Sequence, residues 1–518
     1  MFAGGFAFVD GRPRRSDVDV KGDRILAVDV SSRELIGPDT EVVPVDGLLV
    51  PGIQDAHAHP VWGGLESLRC NLSLLSGAAA YRDRIAAYAR ENPHRGWVTG
   101  GGWMMSAFPL GTPHKRDLDE IVPDRPVLLH NCDHHGAWVN GRALELAGVD
   151  RDTPDPPDGR IERDPDGTPS GMLHEGAVDL VARLLPALDD AERVLALRKA
   201  QAHMHSLGIT GWQDAILGEY GGYADPSPVY RALAGSGELT ARVTGALWWD
   251  RTVGTEQIPS LIDRRRANRV GRFHTPMVKM MLDGVCENFT AAMTSPYLGG
   301  HGSGLSFVDY AELPEHVHAL AGNGFGVHFH AIGDAAVRAA LDAVEGMLPG
   351  ARHQIAHLQV VHPDDVPRFG RHQVIANMQP LWACHEPQLD ELAIPFLGAH
   401  RAAWLYPFGD LLRTGAPLAA GSDWPVSSAD PWRGMHVAVH RYLEGAVLLP
   451  GQRLTLRDAL LAYTSGAAYA NGCDEAGVIA PGRLADLALL SLNPFDGDIL
   501  GTRVLRTYVG GELVFDAG

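Results

Sequence analysis

The sequence predicts an α/β fold: a (β/α)8 TIM-like barrel, a small β-sandwich domain formed from both termini, and a domain inserted after the first barrel strand. Three observations predict it. Short apolar segments alternate with helical ones through most of the chain, which is the pattern of repeated βα units. The two ends have another texture, short alternating strands broken by Gly-containing turns. About 150 residues separate the first apolar strand from the second, far beyond an ordinary βα loop.

In chain order, strand-like segments occur at 5–11, 16–20, 24–28 and 41–47, leading into the apolar 48–50. Their counterparts at the other end are 485–490, 504–509 and 512–515. Barrel strands are expected at 48–50, 209–210, 241–247, 277–282, 326–329, 354–355, 374–376 and 418–420, with helices such as 191–200 and 335–344 between them. The expected division is 1–50 with 475–518 for the β-sandwich, 51–70 with 200–474 for the barrel, and 71–199 for the insert. The insert contains Trp97, Trp103 and Trp138 and a Pro/Asp/Gly-rich run over 153–159.

Composition narrows the function. The 518 residues are 45% hydrophobic and 21% charged, as in an ordinary globular protein. With 44 Lys and Arg against 63 Asp and Glu, the net charge is −19, which disfavours binding to phosphate backbones. No apolar run reaches the roughly 18 residues of a membrane span. Residues 1–6 carry no basic segment followed by a long apolar run, so a secretory signal is not expected. The five cysteines are scattered and form no CxxC pair, which points to a reducing cytoplasm.

Histidine, with 24 copies, is the unusual residue. His57 and His59 lie two apart beside an apolar strand, so their imidazoles share one side; neutral imidazole is a common zinc ligand. His330 and His357 each close an apolar strand, at the barrel end that carries chemistry. His328 lies one layer deeper, packed behind a ligand, and His353 reads as structural. Asp423 follows the eighth strand, a candidate ligand and proton acceptor. Lys279 sits within an apolar strand, where a charged amine is costly unless paired or neutralised; pairing with Asp283 or another carboxylate is the plain alternative.

Together these residues occupy the ends of strands one, four, five, six and eight. The segments PGIQDAHAHP, VKMMLDG, HAIGD, RHQIAHLQ, ANMQP, GSDWPV and GVIAPGRLADLALL, with HHGAWVNGRALELAGV and DPDGTPSGMLHE in the insert, resemble the amidohydrolase superfamily over nearly the whole chain. The resemblance is to the amidohydrolase family 3 branch, which includes N-substituted formamide deformylases. It implies that His57 and His59 bind the more buried metal and that Lys279 is carboxylated and bridges two metals. It implies further that His330 and His357 bind the second metal, and that Asp423 contacts the metals and accepts the proton of the attacking water. His135 matches the histidine of the insert, near the substrate; His134 stands where a glycine is common and has no assigned role.

The expected cofactor is one or two divalent ions, zinc foremost, although the donor set also admits manganese, iron or cobalt. The expected activity is hydrolysis of a C–N bond, most directly removal of a formyl or other acyl group from an N-substituted amine. Competing readings are deamination or cyclic amide and imide opening on the same barrel, and a non-catalytic regulatory protein. Trp103, His135, Trp138 and Glu175 are the candidate substrate contacts. The expected partner is a small-molecule amide, without nucleic acid or membrane, and a homodimer is the working expectation.

Overall fold

The computed structural model describes residues 1–29, 36–347 and 350–518. Eight parallel strands form the central sheet: β1 (Ile53–Ala58), β2 (Ile209–Leu217), β3 (Arg242–Trp248), β4 (Phe273–Met281), β5 (Gly326–Ala331), β6 (Gln354–His357), β7 (Ile375–Met378) and β8 (Leu418–Ala420). Their residues are almost continuously buried, as expected where helices cover one face and side chains fill the other. The sheet curls until its ends meet. Asp423, just past β8, donates its backbone N–H to the His57 carbonyl at 2.7 Å. A Cβ on Gly421 would lie 2.5 Å from the His57 nitrogen, so only glycine allows β8 to approach β1 this closely.

The first barrel strand differs from the sequence expectation. Leu48–Pro51 pairs with Leu487–Leu490 and with Phe6–Val9, in the sheet built from both termini. β1 begins two residues later, at Ile53. Gly52 is the junction: a Cβ there would sit 2.4 Å from Thr210 Oγ1 on β2. The terminal domain consists of a four-stranded and a six-stranded sheet, with Phe2, Val18, Ile25, Leu49, Leu487 and Tyr508 among the residues packed in their common core.

The segment after β1 builds its own six-stranded sheet, in the order Gly159–Arg163, Pro169–Glu175, Gly136–Val139, Val127–Asn131, Val98–Trp103, Cys70–Asn71. Alternation sorts its side chains to two faces. Leu129, Trp103 and Trp138 enter one core, and Leu128, Ala137, Val139 and Leu173 enter another. Helix Asp190–Ser206, within which the expected boundary at 199 falls, returns the chain to β2. Among the described residues no helix is long and apolar enough to cross a membrane.

Candidate metal centre and cavity

The carboxyl ends of the barrel strands converge on one cluster. One ligand atom from each of His57, His357 and Asp423 lies within 4.8 Å of the others. Asp423 Oδ1 is 3.4 Å from His57 Nε2 and 3.2 Å from His59 Nε2, and its Oδ2 is 3.7 Å from His357 Nδ1. The ring of His330 lies 4.4 Å from that of His357. Among the described residues neither ring nitrogen of His357 has a hydrogen-bond partner, and neither does His59 Nδ1. Buried polar atoms are normally satisfied, so these orphaned donors fit a divalent cation. Burial, reinforced by the neighbouring Lys279 and histidines, holds His57, His330 and His357 well below the ordinary imidazole range, leaving the neutral rings that ligation requires.

A hydrogen-bond relay sets the tautomer of His57. Gln213 Oε1 can only accept, and it contacts His328 Nδ1, which must therefore donate. His328 Nε2 is then the acceptor, and His57 Nδ1 donates to it at 2.8 Å. That leaves the lone pair on His57 Nε2, facing Asp423. Gln213 is itself held by Gln354 Nε2 at 3.2 Å, and Gln354 Oε1 by Asn377 Nδ2 at 2.8 Å. Asp55 anchors the other side: Oδ1 accepts the backbone N–H groups of His57 and Ser422, each at 3.0 Å, and Oδ2 accepts Ser422 Oγ at 2.6 Å. Desolvation pushes Asp55 up to about 7.

His357 and Asp423 both have positive φ, 79° and 57°. Non-glycine residues rarely adopt this conformation, and here it turns the chain sharply at the last residue of β6 and just past β8. Lys279 on β4 is 2% exposed, and its register partner is His328 on β5. Burial, only partly offset by Asp423, pulls its amine down to about 7. Asp283 is not its counter-ion: its carboxylate accepts the backbone N–H groups of Ile332, Gly333 and Ala292 at 3.0, 2.8 and 2.9 Å.

The cluster forms part of the lining of a cavity of about 460 Å³. Trp62 stacks on His59 with centroids 4.4 Å apart, and Trp382 on His357 at 5.3 Å. His135 also lines it, its Nδ1 2.9 and 3.0 Å from the Glu175 oxygens. Glu175 further accepts Thr290 Oγ1 at 2.7 Å and Asn288 Nδ2 at 3.2 Å. Burial alone would lower His135, but Glu175 and Asp133 outweigh it and hold the ring up at about 9; His135 in turn holds Glu175 low against its own burial.

A model of the amidohydrolase family matches residues 46–515. The chain belongs to the amidohydrolase family. Among its relatives in that family, Protein LONG AFTER FAR-RED 3 of Arabidopsis thaliana is 30% identical, covering 97% of this chain and 89% of that protein. The N-substituted formamide deformylase of Arthrobacter pascens is 28% identical over 96% of this chain and 94% of its own length. In fold, this amidohydrolase is similar to an uncharacterised metal-dependent hydrolase from Pyrococcus horikoshii, with a TM-score of 0.74, 22% identity and 99% coverage of each chain.

The amidohydrolase brings His57, His59, Lys279, His330, His357 and Asp423 together around one cavity, with His135 on its wall and Glu175 behind His135. It does not bring Trp103 and Trp138 there. Both are fully buried in the insert, where their Nε1 groups donate to Leu129 O at 2.9 Å and His114 O at 3.1 Å. They are corrected from substrate contacts to core residues, because strand alternation turns them onto the helix-covered face. His353 accepts the Val327 N–H at 3.2 Å, a structural contact. His134 lies with Nε2 3.0 Å from Glu66 Oε1, against Trp62. The sequence reading passed over Asp55, although its two-residue spacing from His57 was a usable signal; Glu287, Glu386 and Gln388, also on the wall, had no such signal.

Proposed function

We propose that this amidohydrolase is a metal-dependent enzyme that hydrolyses the C–N bond of an N-substituted formamide or a related N-acyl amine. The observation that carries the reading is the convergence of His57, His357 and Asp423 in one buried cluster, with both ring nitrogens of His357 and Nδ1 of His59 unpartnered among the described residues. The 28% identical formamide deformylase supports the choice of amide. His57 and His59 would hold one ion and His330 and His357 a second, with zinc the expected metal. The Lys279 amine, kept near neutrality by burial, would add carbon dioxide, lose a proton and become an anionic carbamate between the two sites.

A divalent cation held there would supply Lewis acidity, bringing the pKa of a water down to ~7 and polarising a carbonyl oxygen. The chain supplies the rest. Asp423, fixed by its backbone bond to β1, takes the proton of the attacking water and returns it to the departing amine nitrogen. His135, charged through its pairing with Glu175, would donate from Nε2 to the oxygen that gains negative charge. Trp62 and Trp382 hold the ligand rings from behind. The cysteines are all unpaired, which supports a reducing compartment such as the cytoplasm.

Metal analysis of protein purified without chelator, with product analysis on formamides, acetamides, imides and nucleobases, tests this. At least one ion per chain and release of formate plus free amine are expected. Full activity without metal, or faster imide opening or deamination than deformylation, would overturn it.

A further inference from the structure

The cavity has an acidic wall that the hydrolytic machinery does not use. Asp133, Glu287 and Glu386 all face it, and Gln388 stands among them. Among the described residues, none of these carboxylates is paired with a lysine or arginine. Glu287 Oε1 accepts Gln359 Nε2 at 3.0 Å. Asp133 Oδ1 accepts the His135 N–H at 2.8 Å, and its Oδ2 accepts Gln388 Nε2 at 3.3 Å. Gln388 is only 7% exposed, and with its amide donated to Asp133 its Oε1 has no partner among the described residues. A buried amide oxygen left bare on a cavity wall costs free energy unless a ligand donor meets it.

The cations nearby offset this wall only in part, through the field of His135 on Asp133 and Glu287. The charge of His135 is matched by Glu175, Lys279 belongs to the metal centre, and Arg433 is exposed and makes no ion pair among the described residues. Desolvation, with repulsion from Asp133 and only partly offset by Gln359 and His135, pushes Glu287 up to about 7. Desolvation with repulsion from Glu287 and Asp390 does the same to Glu386. Cys132 beside them is pushed far up by burial and by Asp133, Glu386, Glu66 and Glu287. Accept-only groups under mutual repulsion gain most from a donor that carries positive charge.

Resting on the hydrolase reading above, we infer that this wall recognises a cation, and that the substrate is an N-acyl amine bearing a second, protonated amine or an amidinium group. Glu287 and Glu386 would supply the charge, and Gln388 Oε1 and Asp133 the acceptor positions. The amine product would then be a diamine or an amidino-amine.

The test compares three formamides of matched length: N-formyl-1,5-diaminopentane, neutral N-hexylformamide and anionic N-formyl-6-aminohexanoate. On the wild-type enzyme, kcat/KM for the cation is expected to exceed that for the neutral compound by about tenfold or more, with the anion slowest. In the Glu287→Gln, Glu386→Gln double variant the cation-to-neutral ratio falls about tenfold; a ratio is insensitive to a general loss of active protein. If the double variant does not fold, Glu386→Gln alone is used, since that side chain is exposed. Calorimetric titration with 1,5-diaminopentane and with hexylamine needs no turnover and is expected to show the same preference. Equal rates and equal binding would overturn the cation site and leave the hydrolase reading intact. A diamine preference in binding, with no formamide cut, would keep the cation site and sink the reaction. An unchanged ratio in the variant would also overturn the assignment.

Discussion

His328 Nε2 accepts a hydrogen bond from His57 Nδ1 at 2.8 Å, and this contact decides which nitrogen of His57 faces the centre. Such outer partners typically contribute 10–100-fold in metal affinity. His328→Phe removes the acceptor and frees His57 to change tautomer or rotate. The expected result is metal affinity lower by about 10–100-fold in chelator competition, with Gln213→Leu acting in the same direction through His328. Unchanged affinity in both variants would show that the relay does not set the ligand.

Asp423→Asn is expected to lower kcat by about 10²–10⁴-fold. The fold should hold, because asparagine tolerates the positive φ of 57° that this position requires. Metal content measured on the same sample separates lost proton transfer from lost metal. Near-native turnover in a folded, metal-loaded variant would remove Asp423 from the chemistry.

Trp103→Ala and Trp138→Ala should act on stability. Each removes a fully buried ring from the insert, and such truncations cost about 3–5 kcal/mol. Thermal unfolding is expected several degrees lower, with the rate ratio between a small and a large amide unmoved. A changed ratio at native stability would return these residues to the substrate.

The His135–Glu175 pair gives a pH dependence. His135 is raised from 6.5 to about 9, so its contribution is complete below 6.5 and is lost as pH rises through about 9. Glu175 is held below its ordinary 4.5, so its contribution is present above 4.5 and lost as pH falls through its depressed value. The difference in melting temperature between wild type and Glu175→Gln should therefore be greatest between pH 4.5 and 6.5 and shrink towards pH 9 and above. A difference that grows with pH across this range would contradict the charged pair.

The barrel was legible because its strands are nearly all apolar, and the candidate ligands because each lies in or just past the end of such a strand. The start of β1 was not. Apolarity runs through Leu48–Pro51 and Ile53–Ala58 alike, and only packing against Thr210 reveals that Gly52 separates two sheets. Trp103 and Trp138 were recognised as important, but a sequence does not say which face of an insert sheet meets a cavity. Glu287 is brought to Glu386 and Gln388 only by the tertiary fold.

Lys279 offers the sharpest test of the proposed centre. It is the one lysine of the cluster, 2% exposed and drawn down to about 7 by burial. Its one obvious carboxylate partner in sequence, Asp283, is occupied by three backbone N–H groups. An ammonium among metal cations would be repelled, whereas a carbamate would be attracted. Lys279→Ala should therefore lose metal and activity together, and short carboxylic acids should restore part of both by placing an anion in the vacated space. Wild-type enzyme loaded under ¹³C-labelled carbon dioxide should show a carbamate carbon by NMR, absent from the variant. A fully metallated, active enzyme without that signal would mean that Lys279 serves as a bare amine.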